Sequence, residues 1–414
     1  MHDHPVRIAL DDDFRRSRLT VFFRLLLTLP HIVWLALWTV PAHVVGLLNS
    51  IVVLFTTRTP RPFQRFLTAY IRYTAQVAAF LTLAANPFPG FVGDNDYPLK
   101  VAIEPQERQR RVVTLFKIVL VVPALLVAAA LGGGMALGGN AGLVLSLGGI
   151  AGSAALLAWF AALVRARMPD GLRDVLVYTI GYGTQLSAYW FCLTDRYPTS
   201  DPKAHVDRDE LPEHHVRMLL DDDGRRSRLT VFFRLLLALP HIVLIVFWGY
   251  LMYLIGVVNW VATLVTGRLP RPLHRFTAAY VRYLVKVYAY LALLANPFPG
   301  FVTGRYPLQV EIDGPERQRR LITLFRLVLA LPALLLAVSF GVVLLVAAFL
   351  GWFAALATGR MPLGLRDVGA AAIRYTAQTQ SYLYLLTEQY PHSSPILRRE
   401  PEPAAIAEAE PEAN

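Results

Sequence analysis

The chain has 414 residues, 55% of them hydrophobic and 17% charged, with a mean hydropathy of +0.45. Soluble domains carry roughly 25% charged residues, so this composition excludes a disordered protein and disfavours an ordinary soluble enzyme. One cysteine, Cys192, excludes an internal disulfide framework and any multi-cysteine metal site, and a net charge of +11 makes the placement of the basic residues the question.

The first element is Val6-Arg7-Ile8-Ala9-Leu10, whose alternation is that of a half-buried strand. Asp11-Asp12-Asp13 and then Arg15, Arg16 and Arg18 follow. Between Arg24 and Arg58 there is no charged residue, and the same holds for Lys117 to Arg165, Arg234 to Arg268 and Arg326 to Arg360. A bilayer core needs about 20 apolar residues per helical span. About 33 helical residues measure roughly 50 Å, too long for one straight span and a little short for two.

Two readings remain for each stretch: a tight helical hairpin, or one tilted, kinked span. Arginines at both ends, Pro41 near the middle of the first stretch, and Gly132-Gly133-Gly134 through Gly138-Gly139-Asn140 in the middle of the longer second stretch favour the hairpin. Pro30, Pro123, Pro240 and Pro332, early in each stretch, favour the single span. The hairpin reading predicts eight membrane helices in the inner (plasma) membrane, with both termini cytoplasmic. The polar start Met1-His-Asp-His-Pro lacks the layout of a cleaved signal peptide.

The next element carries Phe66, Tyr70, Tyr73, Val77, Phe80 and Ala84 at helical spacing, with Arg65 and Arg72 among them. Phe276, Tyr280, Tyr283, Val287, Tyr290 and Leu294 repeat the spacing. This is an interfacial amphipathic helix, or a helix packed on its own bundle.

The order then recurs. Val6-Arg-Ile-Ala-Leu-Asp-Asp-Asp13 returns as Val216-Arg-Met-Leu-Leu-Asp-Asp-Asp223, Arg15 to Leu27 returns as Arg225 to Leu237, and Asn86 to Val92 as Asn296 to Val302. Glu107-Arg-Gln-Arg-Arg111 returns as Glu316-Arg-Gln-Arg-Arg320. The expected units are 1–98, 99–198, 215–307 and 308–391, with a polar linker at 199–214 and a disordered acidic tail at 392–414. Leu99 to Ile103 and Leu308 to Ile312 alternate like the first strand, and the four strands are expected to pair into one small cytoplasmic sheet. The predicted fold is an all-α polytopic membrane protein of four repeated units, each a helical hairpin plus an amphipathic helix, with short β-strands.

The residues carry a resemblance. Arg24 to His31, Thr266-Gly-Arg-x-Pro270, Thr358-Gly-Arg-x-Pro362 and Tyr382 to Pro391 resemble the bacterial membrane family called domain of unknown function 4389, in tandem copies. The resemblance covers most of the chain to about residue 391. It implies an integral membrane protein and no activity. The second unit departs, with Arg165-Ala-Arg167-Met-Pro169 in place of the Thr-Gly-Arg form.

Candidate chemistry is sparse. The Asp11–Asp13 and Asp221–Asp223 triplets offer oxygen ligands, but adjacent side chains diverge, and a solvated turn is the favoured reading. His31 and His241 follow the early prolines and offer proton relay or metal binding, against simple packing. Arg173-Asp174 and Arg366-Asp367 are sequence neighbours, which do not face each other on a helix. Cys192 reads as core. No phosphate loop, nucleophile elbow, zinc-protease helix or dinucleotide fingerprint occurs, so no cofactor, metal or catalytic residue is assigned.

The basic charge sits beside the apolar stretches, which fits anionic headgroups and not nucleic acid. Arg15, Arg16, Arg18, Arg24, Arg225, Arg226, Arg228 and Arg234 are the expected headgroup contacts. Three functional classes compete: a scaffold or accessory protein that binds lipid or a membrane protein partner, a transporter or channel, and a membrane enzyme. The absence of charge deep in the apolar stretches weighs against ion-coupled transport.

Overall fold

The computed structural model describes residues 4–13, 15–93, 96–105, 108–132, 149–207, 211–220, 222–300 and 306–397. In chain order the elements are β1 (Val6–Leu10), α1 (Arg18–Phe22), α2 (Arg24–Thr56), α3 (Arg61–Leu81), β2 (Leu99–Ile103), α4 (Arg111–Leu115), α5 (Lys117–Gly132), α6 (Gly149–Arg165) and α7 (Asp170–Trp190). The second half repeats the series as β3 (Val216–Leu220), α8 (Arg228–Phe232), α9 (Arg234–Thr266), α10 (Arg271–Leu291), β4 (Leu308–Ile312), α11 (Arg320–Leu324), α12 (Arg326–Thr358) and α13 (Leu363–Leu383).

The hairpin expectation fails in three of the four stretches. α2, α9 and α12 are each one unbroken helix of 33 residues. The reason is a single register that runs the whole length. In α2 the buried residues Arg24, Thr28, His31, Leu35, Ala42, Gly46, Asn49 and Val53 fall on one stripe, which a turn would break. Pro30 and Pro41 lie inside the helix on its exposed side, where the missing backbone donor is tolerated at the cost of a bend. The glycine-rich insertion of the second stretch lies outside the described residues, between α5 and α6.

Each long helix ends where its last carbonyls meet a residue in the left-handed region: Thr57, Ala166, Gly267 and Gly359. This is the structural meaning of the Thr-Gly-Arg punctuation. Pro60, Pro169, Pro270 and Pro362 then stand as the N-caps of the 21-residue helices α3, α7, α10 and α13. These return helices carry most of the core, and α7 and α13 are buried along nearly their whole length.

The strands were legible to the residue, but they form two sheets rather than one. β1 pairs antiparallel with β2, and β3 with β4. β2 packs on α3 and β1 on α7, while β4 packs on α10 and β3 on α13. The same return helices hold the long helices: α2 packs on α3, α5 and α6 on α7, α9 on α10 and α12 on α13. The halves meet where α12 packs on α5 and α6, with Ser153 Oγ 2.7 Å from Ser339 Oγ.

Two further expectations need adjustment. Residues 199–206, assigned to a linker, are docked: His205 and Val206 are buried, and Gln185 Oε1 accepts from Thr199 N–H at 3.0 Å. Residues 392–397, assigned to the tail, are packed too. Ser394 and Ile396 are buried, and Gln378 Oε1 accepts from His392 N–H.

Candidate functional site

The arginines expected at headgroups divide into two sets. Arg24, Arg234 and Arg326 are among the most buried side chains of the protein. Arg24 Nη1 donates to the carbonyls of Phe80 at 2.7 Å and Ala85 at 3.0 Å, at the C-terminus of α3. Arg234 does the same to Tyr290 and Ala295, and Arg326 to Tyr382 and Thr387. Lys117 donates to Thr194. Each cation also sits 4.3–4.6 Å from the centroid of the Phe or Tyr ring it crosses. A cation at a helix C-terminus answers the orphan carbonyls and the macrodipole together.

Arg16 and Arg226 are buried as well. Their backbone N–H groups donate to Ala166 and Gly359, the left-handed residues that end α6 and α12. Their guanidinium groups donate to Leu83 and Leu293, the left-handed residues that end α3 and α10. Gln109 and Gln318 hold the same place at the ends of α2 and α9. Their backbone donates to Thr57 and Gly267, and their side chains to Cys192 and Leu385, again left-handed residues. One side chain therefore ties together two helix ends at four places. Asp12 and Asp222 complete two of these ties with ion pairs of 2.7 Å to Arg16 and Arg226, all four side chains being almost fully buried. The middle Asp of each triplet is thus a buried partner and not part of a solvated turn. Asp221 lies outside the described residues.

The remaining four, Arg15, Arg18, Arg225 and Arg228, are exposed. Arg18 Nη2 donates to Val164 near the end of α6, and Arg228 to Ala357 near the end of α12. Arg15 forms a backbone bridge with Arg167, and Arg225 with Arg360. In the first half this builds a basic cleft of about 580 Å³ lined by Asp13, Arg15, Arg16, Arg165, Ala166 and Arg167. Close by along α6, an apolar crevice of about 320 Å³ opens between α2, α3, α6 and α7, lined by Leu25, Leu81, Gly152, Leu156, Trp159 and Ile180 among others. In the sequence Arg165 and Arg167 stand out only as a departure from the punctuation, and of the crevice lining only Arg24 is marked, as a headgroup contact. The small residues Ala151, Gly152 and Ala155 were the signal.

His31 and His241 are buried against aromatic rings, with Nδ1 at 2.7 Å and 2.6 Å from the hydroxyls of Tyr73 and Tyr283. Arg173–Asp174 and Arg366–Asp367 do form ion pairs, at 3.3 Å and 2.9 Å, despite being sequence neighbours. Cys192 is buried in its turn, with Sγ 3.2 Å from Ser50 Oγ. Among the described residues no group of three His, Cys, Asp or Glu side chains has the geometry to hold a metal ion.

Fold and exposure define a class, a helical protein in which, among the described residues, three helices, Arg24–Thr56, Arg234–Thr266 and Arg326–Thr358, are long and apolar enough to cross a membrane. The family model Domain of unknown function (DUF4389) matches residues 18–92, 228–303 and 320–394, more than half of the chain, and the protein belongs to that family. Each matched segment covers one long helix and its return helix, and residues 99–198 lie outside them. No curated protein and no solved structure matches the chain.

Proposed function

We propose that the protein is a membrane-bound scaffold or accessory protein built from four equivalent units, 1–98, 99–198, 215–307 and 308–391, anchored in a bacterial plasma membrane. The observation that carries this reading is the segregation of exposed side chains. The long helices expose Leu25, Leu37, Phe55, Phe247, Leu254, Leu327 and Leu345, each more than 60% accessible, whereas the sheets expose Arg7, Glu104, Arg217 and Glu311. Apolar area on that scale marks contact with hydrocarbon. The sheets and the docked segments 199–206 and 392–397 form the aqueous face offered to a partner.

The basic cleft beside the apolar crevice favours one lipid class. Arg15, Arg165 and Arg167 suit the phosphate of an anionic phospholipid, and the crevice suits an acyl chain. In the second half the counterpart of Arg165 is Thr358, so the cleft of the first half is the more basic. Extraction of the intact chain tests the reading. The protein is expected to resist carbonate and high-salt washes, and purification in mild detergent is expected to retain anionic phospholipid and any partner. Release by carbonate would overturn the membrane assignment. Lipid-free protein of unchanged stability would overturn the lipid site alone.

A further inference from the structure

We propose that the long helices do not cross the bilayer but lie in its plane, so that the four apolar helix stretches form one plate sunk into the hydrocarbon of a single leaflet. This deepens the membrane reading above and rests on it. The first ground is the sheets. Along α10 the contacts with β4 run lengthwise. Tyr306, just before the strand, bonds the carbonyl of Lys286, Val310 accepts from Arg282, and the backbone of Asp313, just after it, meets His274. Twelve helical residues cover about 18 Å. The strand therefore lies along the side of the return helix and not at its tip. Phe276, Tyr280 and Tyr283 meet Trp248 of α9 on a different face of α10. The sheet carries the ion pairs of Arg217 with Glu311 and Asp313 on its exposed face. If α9 stood upright in the bilayer, these charges would stand at hydrocarbon depth, where exposed charge and open sheet edges do not occur.

The second ground is the arginines. Arg18 reaches Val164 and Arg111 reaches Phe55, so α2 runs antiparallel to the α5–α6 pair with a basic cluster at each end. Upright helices would place those clusters on opposite sides of the membrane, against the bias that keeps Arg on one side. Helices lying flat put every cluster at the same headgroup level. The third ground is length: 33 residues are about 50 Å against a core of about 30 Å, and α2 exposes apolar residues from Leu25 through Phe55.

The test uses the full chain with Cys192→Ser and single cysteines at the exposed positions Leu26, Leu37 and Phe55 of α2 and at Lys100 of β2, each carrying a fluorophore. The proteins are reconstituted in phosphatidylcholine–phosphatidylglycerol vesicles with lipids brominated at different acyl positions. Flat helices give the same shallow depth at all three α2 positions, about 5–10 Å below the headgroups, and no quenching at Lys100. A deep Leu37 between shallow Leu26 and Phe55 overturns the proposal and leaves the membrane reading intact. Absence of quenching at every position overturns both.

Discussion

The four equivalent ties at the helix ends show how much one side chain can decide. Leu83, Cys192, Leu293 and Leu385 adopt φ of 56–66°, a conformation that costs a non-glycine residue roughly 1–2 kcal/mol. It persists because Arg16, Gln109, Arg226 and Gln318 satisfy the carbonyls that the turn exposes. Gln fills this place in two of the four ties, so Arg16→Gln keeps the tie but removes the guanidinium that pairs with the buried Asp12 carboxylate. Denaturation in detergent is expected to show a loss of about 3 kcal/mol for Arg16→Gln, the usual cost of breaking a buried pair. Asp12→Asn in the same chain is expected to recover most of it. Equal losses for the single and double variants would contradict the pairing. The exposed arginines behave otherwise. Arg15→Gln with Arg165→Gln and Arg167→Gln leaves stability unchanged and weakens binding to phosphatidylglycerol vesicles tenfold or more, since each basic residue near an anionic surface contributes on the order of 1 kcal/mol. Unchanged vesicle binding would remove the cleft from the lipid account.

At the scale of elements, the continuity of α2 has a direct measure. Spin labels at Leu25 and Phe55 are 30 residues apart in sequence and about 45 Å apart along one helix. A hairpin would bring them within about 20 Å, so a pulsed dipolar distance decides. The docked segment after α7 has a pH dependence with a fixed sign. Burial pushes the His205 imidazole down to about 4, and its Nε2–H donates to the Thr199 carbonyl at 2.9 Å. His214 is also pushed down to about 4 by burial, aided by nearby Arg374. A histidine depressed on folding favours the neutral state, so its stabilisation is full above its unfolded value of about 6.5 and is lost as pH falls toward 4. Hydrogen exchange at Val206 is expected to rise across that window. Gly181→Val is expected to mimic the acid effect at neutral pH, because a Cβ at Gly181 would sit 2.5 Å from His205 Nδ1. Exchange that ignores both changes would show that His205 does not hold the segment.

For the whole molecule, the repeat, the strands and the return helices were legible because each leaves a periodic mark within a few residues. The alternation of Val6 to Leu10 and the spacing of Tyr70, Tyr73 and Val77 are local facts. The unbroken long helix was legible too, but in a weaker signal. Arg24, Thr28, His31 and Asn49 keep one helical stripe through the whole apolar stretch, a signal outweighed in sequence by the flanking arginines, the glycine-rich insertion and Pro41. The burial of Arg16 and Arg24 was not legible. Arginine beside an apolar stretch looks the same in sequence whether it meets a phosphate or a helix end 56 to 67 residues away. The relation between the layers is also set by contacts far apart in sequence, and it decides whether the protein spans a membrane or lies in it. Side-specific labelling in sealed vesicles tests this most directly. In a Cys192→Ser chain, Arg15→Cys and Thr57→Cys mark opposite ends of the unit that contains α2. Helices lying in one leaflet leave both cysteines reactive toward a membrane-impermeant maleimide from the same side. Reaction of one from outside and the other only after the vesicles are opened would show that α2 crosses, and the plate would have to be abandoned.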